Sequence, residues 1–78
     1  MSIAIVADIS IDNECKLFCT DGKIRFAKQP PHEKVKCGDY VVYSMDRLII
    51  YDIIEPTDYI REMCREAYLP LYKNKQKI

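Results

Sequence analysis

Between Ser2 and Ile54 one pattern recurs five times: a short run rich in Ile, Val, Leu, Tyr, Phe or Cys, closed by residues that favour a turn. Such runs are too brief for stable helices, and their β-branched and aromatic side chains suit an extended, half-buried surface. Residues 2–9 read as a first strand, and residues 10–14, containing Asp12-Asn13, as its turn. In residues 15–20, Cys15, Leu17 and Cys19 alternate with Lys16, Phe18 and Thr20, and Asp21-Gly22 follows as a two-residue hairpin signal. A third strand opens at Lys23 and ends at Gln29-Pro30-Pro31-His32, because proline cannot donate to a sheet ladder. Cys37-Gly38-Asp39 turns into a fourth strand over 40–44, and Met45-Asp46 separates it from a fifth over 47–54.

One helix is predicted after these strands. Glu55-Pro56 closes the fifth strand, and Thr57 or Asp58 can cap a helix by accepting a first-turn N–H. Tyr59, Ile60, Met63, Cys64, Ala67 and Tyr68 then recur at helical spacing opposite Arg61, Glu62, Arg65 and Glu66. Pro70 is expected to stop the helix, which would cover about 57–69, and residues 73–78, with Lys73, Lys75 and Lys77, to form a basic polar tail. The fold expected over residues 1–72 is mainly β: a small five-stranded oligonucleotide/oligosaccharide-binding (OB) barrel with a C-terminal α-helix, closure removing the exposed sheet edges.

Size and composition narrow the function. A chain of 78 residues hides only roughly 60–65 % of the surface it exposes when unfolded, which leaves little room for a deep catalytic cavity. The sequence carries no phosphate-cradling glycine motif and no paired-histidine motif, and no partner stands at catalytic spacing from His32. An enzyme is not expected, nor is a cofactor. Cys15, Cys19, Cys37 and Cys64 with His32 offer zinc-ligand types, but their scattered spacing favours free, packed thiols over a metal site. No apolar run is long enough for a membrane span, and no signal peptide is visible, so the expectation is a cytoplasmic protein without a membrane partner, monomeric when free.

The 12 basic and 12 acidic residues cancel overall, yet residues 15–47 hold seven lysines and arginines against four acids. Strict alternation would place Cys15, Leu17, Cys19, Ile24 and Phe26 inward and Lys16, Phe18, Thr20, Lys23 and Arg25 outward. Phe18 among Lys16, Lys23 and Arg25 is then a ring for base stacking with cations for the adjoining phosphates. The competing reading packs Phe18 beneath the aliphatic stems of neighbouring bases or beneath the C-terminal segment.

The order of these features resembles the translation initiation factor 1A family and, more distantly, bacterial initiation factor 1. Leu17-Phe18-Cys19-Thr20-Asp21-Gly22 resembles that family's strand ending in an aspartate-glycine turn, Asp39 its aspartate before strand four, and Tyr68-Leu69-Pro70 its aromatic residue before Leu-Pro. The resemblance implies an OB fold, no catalysis, and docking on the small ribosomal subunit near the decoding A site, with ribosomal RNA as partner and other initiation factors beside it. It also implies that the basic loop bearing Lys28, Lys34 and Lys36 contacts phosphate. The RNA-binding residues expected are thus Lys16, Phe18, Lys23, Arg25, Lys28, Lys34 and Lys36. Here that loop is diluted by proline and acid (Pro30, Pro31, Glu33). With zero net charge, this motivates a second reading, an OB-fold interaction subunit of a larger nucleic-acid-processing or viral complex.

Overall fold

The computed structural model describes the backbone of residues 1–76 and the side chains of residues 1–67. Five strands, β1 (Ser2–Ile9), β2 (Glu14–Cys19), β3 (Ile24–Lys28), β4 (Tyr40–Ser44) and β5 (Ile49–Ile54), precede a helix, α1 (Asp58–Gln76). The strands close into a barrel in the order β1-β2-β3-β5-β4, the small OB-like architecture expected. All pairings are antiparallel except the closing seam, where β3 and β5 run parallel and meet at Lys28 and Ile49. That seam is held in part by the Lys28 N–H, which donates to the Leu48 carbonyl at 2.9 Å.

Closure depends on irregularities that bend the strands. In β1 the register against β2 shifts between Val6 and Asp8, leaving Ala7 as an extra residue, and β1 can thereby pair with β2 on one side and β4 on the other. In β5, Val42 faces Asp52 whereas Tyr43 faces Ile50, so Tyr51 is the extra residue. The interior is filled by Ala4, Val6, Cys15, Leu17, Cys19, Ala27, Val35, Val41, Tyr43 and Ile50, with Ile9 and Ile53 against them. Val35 enters this core from the β3–β4 loop, where the Gln29 side chain accepts its N–H at 2.9 Å. All four cysteines are free thiols; Cys15, Cys19 and Cys64 are buried and Cys37 is exposed.

Two boundaries differ by more than one residue from those expected. The fifth strand begins at Ile49 because Ser44–Leu48 is a turn: the Leu48 N–H donates to the Ser44 carbonyl at 2.9 Å, and Leu48 has a φ of 54°. The helix does not stop at Pro70 but continues to Gln76, since a proline withholds one donor while the i→i−4 ladder can resume beyond it. The expected tail is therefore largely helical in its backbone, and residues 77–78 lie outside the described residues. Within the helix, Ile60, Met63, Cys64 and Ala67 form the covered stripe, whereas Tyr59 is 73 % exposed; Tyr68 lies outside the described side chains. Thr57 is the N-cap, its hydroxyl accepting the Ile60 N–H at 3.2 Å. No helix among the described residues is long and apolar enough to cross a membrane.

Candidate nucleic-acid interface

The β2–β3 hairpin positions most of the expected site, and its loop decides which side chains face outward. The Cys19 N–H donates to the Lys23 carbonyl at 3.0 Å, and the Gly22 N–H to the Cys19 carbonyl at 2.9 Å. The loop is therefore three residues, Thr20-Asp21-Gly22, with Gly22 at a φ of 82°, rather than the two-residue turn expected. Residues paired directly across an antiparallel ladder share one face. Here the pairs are Glu14 with Lys28, Lys16 with Phe26, and Phe18 with Ile24 on the outer face, and Cys15 with Ala27 and Leu17 with Arg25 on the inner face. The extra loop residue shifts the pairing by one and turns β3 over. Ile24 and Phe26, expected inside, are 40 % and 51 % exposed, while Arg25, expected outside, shares the inner face with Leu17 and is half-buried.

Arg25 is consequently engaged within the protein. Its guanidinium makes two contacts with the Asp21 carboxylate, at 3.0 and 2.8 Å, and donates to the Tyr43 hydroxyl at 3.4 Å. Its side chain is only 18 % exposed. The hydrogen bond from Arg25 holds the Asp21 carboxyl below the usual carboxylate range, and the same bond raises the guanidinium further still. Burial pushes the Tyr43 phenol above its ordinary range. A guanidinium held at three points braces the hairpin, so the outward placement expected for Arg25 is corrected.

Phe18 has the expected side but not the expected exposure. It lies on the outer face but is 5 % exposed, and it pairs with Ile5 on one side and Ile24 on the other. The helix packs against β2, and beside it Ile5 and Tyr40 line a cleft with Arg61, Cys64 and Arg65. The Lys16 ammonium sits 5.8 Å from the Phe18 ring centroid, within cation–π reach. Phe18 is thus covered as a packing residue, the arrangement of the competing reading.

Of the remaining cations, Lys16 and Lys28 share the outer face with Phe26. Lys16 is half-buried beside the exposed Phe26. Lys28 is exposed on that face at the far end of β3, whereas Lys23, exposed beside the hairpin loop, has the strand parity of Arg25 and Ala27 and is corrected from the outer face. Beyond Lys28, two shallow clefts share Asn13 and Gln29; Lys28 lines one and Lys34 the other. Lys36 is exposed past Val35, its backbone N–H donating to the Asp39 carboxylate at 2.7 Å. Glu14, opposite Lys28, offsets part of this charge. Among the described residues no acid forms an ion pair with Lys16, Lys23, Lys28, Lys34 or Lys36.

Phe26 is the residue the strand pattern missed. Its position in β3 is evident from sequence, but its side depends on the loop count, and Asp-Gly suits both a two-residue turn and the three-residue loop with glycine at positive φ. The cysteines do not assemble around His32, which sits instead near Glu33 and Asp52. No family model and no curated protein matches the chain.

Proposed function

We propose that this protein binds single-stranded RNA on the outer face of β2 and β3, with Phe26 as the stacking ring and Lys16, Lys28 and, from the adjoining loop, Lys34 meeting phosphates. The observation that carries this reading is Phe26, 51 % exposed on a barrel strand directly opposite Lys16. An aromatic face flanked by cations on these strands suits unpaired nucleotides, because any base can stack and lysines neutralise the backbone without reading sequence. Following the initiation factor 1A resemblance, the RNA proposed is that of the small ribosomal subunit near the decoding A site, where the protein would act by occupancy without catalysis, in the cytoplasm. The test is co-sedimentation with isolated small subunits over a salt series, beside Phe26→Ala. Saturable, salt-sensitive binding weakened by the substitution is expected, and undiminished binding by Phe26→Ala would reject this face.

The second reading, an OB-fold interaction subunit, is favoured by a specific pair of neighbours. Ile24 and Phe26 expose apolar surface on the same face of β3 while Arg25 is internally neutralised. Recovery of a stoichiometric protein partner after nuclease treatment, with binding lost in Ile24→Asp, would favour that reading over RNA.

A further inference from the structure

The β3–β4 loop and β5 bring together three side chains of metal-ligand type. His32 Nε2 lies 3.7 Å from Asp52 Oδ1 and 3.9 Å from Glu33 Oε1. One ligand atom from each of the three residues fits within 4.8 Å of the others. Zinc bonds to imidazole nitrogen and carboxylate oxygen of about 2.0–2.2 Å in tetrahedral array place ligand atoms about 3.4 Å apart, so His32 would close on each carboxylate by a few tenths of an ångström and the two carboxylates on one another by up to about an ångström and a half. All three side chains are exposed and can make that adjustment.

Two further features single out this cluster. Glu33 and Asp52 converge on His32, the one basic side chain between them, and among the described residues no lysine or arginine bridges either carboxylate; a divalent ion held by the imidazole would bring positive charge to both. Asp52 is also anchored: it pairs with Val42 in the β4–β5 ladder, and its Oδ1 accepts the Ile53 N–H at 2.9 Å. One ligand thus comes from a strand and two from the loop that carries Lys34 and Lys36.

We propose that His32, Glu33 and Asp52 form a surface site for a divalent first-row transition ion such as zinc, with water completing the coordination and the ion tying the β3–β4 loop to β5. This departs from the sequence expectation of no metal, and it uses none of the thiols. One imidazole with two carboxylates suits Zn2+, whereas Mg2+ prefers oxygen ligands alone.

His32 is the chain's single histidine, which makes its imidazole proton resonances an unambiguous reporter. Titration of the protein with Zn2+ should shift them saturably at one equivalent, and Asp52→Asn should weaken the affinity about tenfold or more while leaving the amide spectrum of the barrel unchanged. Cys37→Ser should leave the titration intact, and Mg2+ at the same concentrations should produce no imidazole shift. The proposal is overturned if Zn2+ causes no saturable shift, if Asp52→Asn binds as tightly as the parent, if Cys37→Ser abolishes binding, or if Mg2+ substitutes equally. The readout needs no RNA, so its failure and that of the RNA reading are separate results.

Discussion

Lys16 on β2 stands directly opposite Phe26 on β3, and both face away from the barrel core. This pair replaces the Phe18–Arg25 pair that a two-residue hairpin would have presented. Truncating Phe26 should therefore separate binding from folding. Phe26→Ala is expected to cost about 1–3 kcal/mol of single-stranded RNA affinity, the range for one base–aromatic stack. Phe18→Ala is expected to cost about 3–5 kcal/mol of stability, as for a buried aromatic. Fluorescence anisotropy with a short unpaired RNA and urea denaturation measure the two quantities, and an equal loss of stability in both variants would contradict the exposure difference.

The salt dependence of binding counts the cations involved. For single strands the slope of log affinity against log salt is about −0.7 per phosphate neutralised. Lys28→Gln should reduce it by about that amount, because Lys28 is exposed on the face of Phe26 at the end of β3. Arg25→Gln should leave the slope unchanged, its guanidinium being committed to Asp21. A lower slope for Arg25→Gln would return that residue to the interface.

Gly22 should be sensitive for a backbone reason alone. Its φ is 82°, and a Cβ built there meets nothing within 4 Å. Gly22→Ala is therefore expected to destabilise the protein by about 1–2 kcal/mol through the left-handed conformation rather than through a clash. A thermal melt showing no loss would mean that the loop relaxes to another turn.

The Asp21–Arg25 pair predicts a pH dependence. The folded Asp21 carboxyl lies below its usual value, so its contribution is present above the unfolded carboxylate range, about pH 4, and is lost as pH falls through the folded value. The stability advantage of the parent over Asp21→Asn should accordingly be seen near neutrality and shrink below about pH 4. Denaturation curves of both proteins across that window check it; a difference that grows on acidification would reverse the sign.

Thiol reactivity should divide the cysteines. Burial raises the Cys15 and Cys64 thiols above their ordinary value, and Cys19 is 1 % exposed. Only Cys37 is exposed, so a thiol reagent should modify one residue quickly under native conditions and the other three only on unfolding. Rapid labelling of two or more would show that the helix opens from β2.

By itself the sequence determined the number of strands, their approximate positions, the capped helix after them and the alternation of β2, because period-two patterning and turn residues act within a few positions. The first strand and the fourth fall where their β-branched runs lie. What only the tertiary structure decided was the phase of β3. One added loop residue, Thr20, moves every side chain of β3 to the opposite face, and Asp21-Gly22 is compatible with either loop. In the observed phase Ala27 joins Leu17 in the core and Arg25 reaches Asp21 and Tyr43, contacts set by pairing across the barrel. The path through Pro70 and the meeting of His32 with Asp52 are likewise beyond local pattern: one depends on what the helix makes on both sides of a missing donor, the other on a loop laid against a strand 20 residues later.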